Sequence, residues 1–191
     1  MFYFCSISFP RFLQGRNPHS CCRTGISCGS YGDARRRRQV AKDPFELQRF
    51  MEAQEGVFET AVRELQTGRK RTHWMWFVFP QLRGLGRSPT AKYYGLSSLE
   101  EARAYLAHPV LGSRLRDVTC VMLEAPGQSL RAILGTPDDL KFCSCMTLFA
   151  LASQESETLF SDALARWCGG QVDEVTLRLT GSARRGPLRE R

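Results

Sequence analysis

The chain has 191 residues, of which 42% are apolar, 24% charged and 10% aromatic; this is enough apolar mass for one packed domain with tails. No apolar run approaches the ~20 residues of a membrane span. The net charge of +8 sits at the ends: residues 1–42 carry eight Arg/Lys and one Asp, residues 181–191 four Arg and one Glu, and residues 43–180 fifteen basic and seventeen acidic side chains, a net of −2. A near-neutral body has no electrostatic case for binding nucleic acid, which leaves only the basic tails for that role.

Residues 1–42 are rich in Ser, Cys, Gly and Arg, lack helical periodicity and end in Arg35, Arg36, Arg37 and Arg38. A secretory signal fits poorly, because no basic residue precedes Phe2 and because Pro10 and Arg11 interrupt the apolar stretch. An organelle transit peptide matches the Arg- and Ser-rich, acid-poor composition. A start site near Val40 is the favoured expectation, with residues 1–40 disordered in either case. The Arg run is read as a solvated tail in preference to a nuclear or nucleic-acid signal.

From Asp43 the signal is helical. Asp43 as N-cap, Pro44 at the first helical position and Glu46 three residues after the cap predict a helix start, followed by an apolar stripe of Leu47, Phe50, Met51 and Phe58. Gly56 divides the segment, and Gly68 stops the helix that runs from Val57 to Thr67. Residues 74–79 pack two Trp, two Phe, a Met and a Val into six positions, predicting a short buried helix from Thr72 or His73 to Phe79 that ends near Pro80, with a strand as the alternative for such an apolar run. Gly84 and Gly86 mark a turn.

Ser88 and Pro89 open the next helical piece, Ser98 and Glu101 form a capping box, and His108 and Pro109 begin a longer helix with His108 as a substitute N-cap. Ser129 to Leu134, Leu140 to Ala152, Ser156 to Cys168 and Asp173 to Leu179 follow. Of these, Leu140 to Ala152 is apolar on several faces and predicts the central buried helix. With no hairpin signal and no repeat, the fold class is all-α: a single compact domain of about seven or eight short helices over 43–180, with disordered basic tails at 1–42 and 181–191.

The cysteines divide between the tail (Cys5, Cys21, Cys22, Cys28) and the helical body (Cys120, Cys143, Cys145, Cys168). The second group is predicted to act as small buried hydrophobes, and a reducing, cytoplasmic setting fits best. No Cys or His spacing suits a metal, and nothing in the pattern requires a cofactor.

A set of polar residues lies close to the aromatic block: Arg49 and Gln54 on the first helix, Lys70 and His73 before the Trp pair of Trp74 and Trp76, and Gln81 after it; Lys141 and Ser144 lie one turn apart on the central helix. Arg and Lys bind phosphate or carboxylate, Trp stacks on planar rings, and Gln and His orient polar edges. Together they predict a cleft for a small anionic, nucleotide- or phosphate-like ligand. The competing expectation is that Arg49 and Lys70 pair with acids while Gln54 and Gln81 satisfy backbone groups, with the aromatic block serving as core or as a protein-docking surface. Lys141 and Ser144 share a face but lack an oxyanion loop, so no catalytic residue is assigned.

These residues resemble the domain-of-unknown-function family 1810 (DUF1810), whose bacterial members are often labelled calpastatin. The resemblance rests on Asp43, Pro44, Phe45, Leu47, Gln48, Arg49 and Phe50, on Gln54, on the Gly68 to Gly86 block and on Ala102 to Gly112. It continues through Asp138 and Lys141, Ser144 to Phe149, and Gly170, Asp173, Thr176 and Leu177. It implies an all-helical single domain over nearly all of residues 43–180 and no established activity. Cys143 and Cys145 flank Ser144 where the family more often has other residues. Calpastatin-type inhibition is set aside, because such an inhibitor is a disordered, repeated, aromatic-poor chain.

Overall fold

The computed structural model describes residues 43–127 and 129–182, so the expectations for residues 1–42 and for most of 181–191 lie outside the described residues. The described residues form ten α-helices: α1 (Gln48–Gln54), α2 (Phe58–Gln66), α3 (Met75–Val78), α4 (Pro89–Tyr93), α5 (Leu99–Ala107), α6 (Leu111–Glu124), α7 (Leu130–Leu134), α8 (Asp138–Ala152), α9 (Leu159–Trp167) and α10 (Glu174–Leu179). The number exceeds the expected total of seven or eight, although each helix falls on a segment read as helical from the sequence; α3, α4 and α7 have only four or five residues each. A 3₁₀ turn at Arg83–Leu85 and one isolated parallel bridge between Leu82 and Leu96 complete the described elements.

Local chemistry accounts for the boundaries. Ser88, Ser98, Ser129 and Asp173 each accept the backbone N–H three residues on, the usual N-cap contact. His108 does the same through Nδ1, accepting from Val110 and Leu111. The capping box at Ser98 is only half made, because Glu101 turns to Ser97 and Arg49. At the first helix the expectation is corrected: Pro44 to Glu46 form a turn with Glu46 at φ 52°, and Asp43 reaches forward to the Gln48 N–H at 3.0 Å. Gly68, at φ 67°, ends α2 where an added Cβ would lie 2.1 Å from the Pro126 carbonyl oxygen; only glycine fits there.

The helix α8 is central, packing on α5, α7, α9 and α10. Its Phe142 meets Phe79 edge-on at 5.0 Å, and its Phe149 bridges Tyr105 and Phe160 at 5.5 and 5.8 Å. Each such fully buried aromatic contributes about 2–3 kcal/mol through loss of apolar surface to water. Contacts of Phe79 with Phe142, Trp76 with Lys141 and Lys70 with Asp138 hold α3 and the loop before it against the first turn of α8, where polar groups collect.

Candidate functional site: a lysine–aspartate–lysine cluster at the Trp block

The loop between α2 and α3 is held by one carboxylate. Glu64, on α2, accepts from the Arg71 N–H (2.8 Å), the Thr72 N–H (3.2 Å) and hydroxyl (2.9 Å), and the Trp74 indole Nε1 (2.8 Å). Burial pushes the Glu64 carboxyl up, but the bonds from Arg71, Trp74 and Thr72 outweigh it and hold it below the usual carboxylate range. Trp74 is fully buried and its polar edge is satisfied, so it is core. The loop is also tied to α7, through the Lys70 N–H and the Ile133 carbonyl at 2.8 Å.

That tether delivers Lys70 to the start of α8. Its Nζ lies 2.8 Å from Asp138 Oδ2, and Lys141 Nζ lies 2.6 Å from Asp138 Oδ1. Only 9%, 17% and 11% of the Lys70, Lys141 and Asp138 side chains are exposed. Burial alone would raise the Asp138 carboxyl; the bonds and charges of Lys141 and Lys70 overcome it and lower it. Two ammoniums share one carboxylate, so the cluster carries one net positive charge. The Lys141 ammonium also sits 3.7 Å from the Trp76 ring centroid, and Lys70 sits 5.2 Å from that of Trp74. Such contacts with desolvated ammoniums are worth up to ~2 kcal/mol. Trp76 is half-buried where Trp74 is fully buried, and its Nε1 is buried and, among the described residues, has no hydrogen-bond partner.

The other predicted residues lie elsewhere or are engaged. Arg49 pairs with Glu101 at 2.6 Å and donates to the carbonyls of Tyr93, Phe45 and Glu46, a buried network joining α1 to α4 and α5. Gln54 donates to the Phe77 carbonyl (2.7 Å) and Tyr105 hydroxyl (3.0 Å) and accepts from Arg114 (3.2 Å). Gln81 is half-buried, its carbonyl accepting from Leu96. His73 is exposed on the loop. Ser144 donates to the Leu140 carbonyl within its own helix at 3.2 Å. The structure therefore brings together Lys70, Trp74, Trp76 and Lys141, and adds Asp138, which the sequence reading placed in the family resemblance but not among the candidate site residues. Its spacing of three from Lys141 was the available signal.

Two further features bear on the site's surroundings. Cys143 and Cys168 form a disulfide linking α8 to the end of α9, which corrects their reading as independent buried hydrophobes; Cys145 is a buried thiol whose pKa burial pushes up. A cavity of about 530 Å³ opens among Arg103, Leu106, Arg116, Ala152, Gln154 and Glu157, and none of the nine predicted site residues lines it. Its Arg116 is already paired bidentately with Glu157, at 2.6 and 3.1 Å. Among the described residues no group of His, Cys, Asp and Glu is arranged to hold a metal, and no helix is long and apolar enough to cross a membrane.

Comparison with known proteins places these observations in a family. Residues 44–180 match the family described as "Protein of unknown function (DUF1810)". The solved structure of the conserved hypothetical protein Rv1873 from Mycobacterium tuberculosis is 54% identical, covers 73% of this chain and 99% of that chain, and superposes with a TM-score of 0.71. No curated protein matches the chain. The chain belongs to the DUF1810 family.

Proposed function

We propose that the Lys70–Asp138–Lys141 cluster, together with the indole N–H of Trp76, binds a small anion. The observation that carries this reading is the unpaired, buried Trp76 Nε1 beside a cluster with a spare positive charge. A buried donor without an acceptor costs about 1–3 kcal/mol, and an anionic oxygen accepting from it removes that cost while neutralising the cluster. The exposed Arg69, Arg71 and His73 add a basic rim to the loop. A stacked planar ring has less support than a compact anion, because Trp74 is sealed in the core and one face of Trp76 is covered by Lys141. No reaction is assigned.

The test is a titration of the full chain with inorganic phosphate and with acetate, followed through the Trp indole N–H signals in ¹H–¹⁵N spectra, with Trp76→Phe identifying the Trp76 signal. Saturable movement of that signal, lost in Lys70→Met and Lys141→Met, is the expected result. A Trp76 signal that stays put at ~10 mM of both anions, in folded protein, removes the proposal.

Protein docking is the second reading, favoured by one observation. Val175 and Leu179 lie one turn apart on α10 and are 39% and 52% exposed, with Val172 just before them at 45%. Val175→Lys with Leu179→Lys would leave the fold intact and abolish an association detected by sedimentation; unchanged sedimentation argues against this reading.

A further inference from the structure

Resting on the anion-site reading, we infer that Asp138 sets the charge class of the ligand: the site takes singly charged oxyanions, a carboxylate or a phosphodiester, and discriminates against the dianion of a phosphate monoester. The argument is a count of buried charge. Asp138 sits between the two ammoniums, each of its oxygens engaged by one of them at 2.6 and 2.8 Å. All three side chains are largely out of water, where net charge is costly. The cluster's sum of +1 is cancelled by one negative charge. A second negative charge leaves the assembly net negative, close to a carboxylate that is itself held ionised. The opposing cations Arg69 and Arg71 are exposed and screened by solvent.

The experiment compares three probes on the full chain at pH 8 and constant ionic strength, read through the Trp76 indole N–H: acetate, dimethyl phosphate and methyl phosphate. At that pH methyl phosphate is almost wholly dianionic, since its second pKa lies near ~6. The expected result is saturable binding of acetate, dimethyl phosphate or both, with methyl phosphate weaker by roughly tenfold or more, the scale of one like-charge contact near a partly buried carboxylate. Whichever of the first two binds more tightly identifies the ligand as a carboxylate or a phosphodiester. Asp138→Asn leaves two ammoniums unbalanced, and the gap should then close or invert. If Asp138→Asn does not fold, the ranking on the unaltered chain decides alone. Methyl phosphate binding as tightly as dimethyl phosphate overturns the charge-class inference while the anion site stands. Failure of all three probes to move the signal overturns both.

Discussion

The two tryptophans of the aromatic block differ by one hydrogen bond, and that difference has measurable consequences. Trp74 donates to Glu64 and is fully buried; the Nε1 of Trp76 is buried without an acceptor. Trp74→Phe should therefore cost about 1.5–3 kcal/mol, because it takes a donor from a charged acceptor, and Trp74→Ala about 3–5 kcal/mol through the cavity it leaves. Trp76→Phe removes an unpaired donor and should be neutral or stabilising without ligand. Urea unfolding of the three variants checks this; equal losses for the two Phe substitutions would contradict the assignment. The carboxyls of Glu64 and Asp138 also give the fold an acid limit. Both are lowered in the folded state, so the stability they contribute is fully present above their ordinary values near ~4 and is lost as pH falls through the folded values. The urea midpoint should fall steeply on the acid side of about pH 4–5, and Glu64→Gln should flatten that fall.

At the level of elements, short helices here depend on their ends. An isolated helix of five to nine residues is unstable in water, so its caps and its packing have to hold it. Ser98→Ala should cost about 1 kcal/mol through loss of the N-cap contact to Glu101. Gly68 and Gly56 offer a matched pair. Both have positive φ, at 67° and 70°, but a Cβ at Gly68 strikes the Pro126 carbonyl oxygen while one at Gly56 meets nothing within 4 Å. Gly56→Ala should thus cost only its backbone strain, about 1 kcal/mol, and Gly68→Ala clearly more. Thermal melts that rank the two the other way would show that the loop gives way at Pro126.

For the molecule as a whole, the disulfide adds a constraint that helix packing does not. Cys143 and Cys168 are 25 residues apart, and closing a loop of that length stabilises a fold by roughly 3 kcal/mol. The helices it joins, α8 and α9, already pack along each other, so Cys143→Ser should lower the melting temperature without abolishing the fold. Reductant should reproduce that loss in the unaltered protein and do nothing further to the variant; an effect on the variant would point to another target of the reductant.

The helical body was legible in the sequence because its signals are local. Ser88, Ser98, Ser129, Asp173 and His108 cap helices from positions adjacent in the chain, Gly56 and Gly68 stop them, and the segment from Leu140 to Ala152, apolar on several faces, marked the central helix. Family membership was legible for the same reason: it lies in the order of residue types along the chain. Other features were not, because they depend on residues distant in sequence meeting in space. Arg49 and Gln54 fit an anion site by type, yet pairing with Glu101, Phe77 and Tyr105 turns them into internal struts. Cys143 finds Cys168 only because α8 and α9 lie side by side. Lys70 and Lys141, about half the domain apart in sequence, share Asp138 only because a loop fastened by Glu64 and Ile133 lies across the first turn of α8. Sequence alone determines which segments are helical, since capping and periodicity act within a few residues. Which charges are neutralised, and which keep an excess of one sign, is decided by tertiary packing, because an ion pair needs a partner within ~4 Å and proximity along the chain does not supply it.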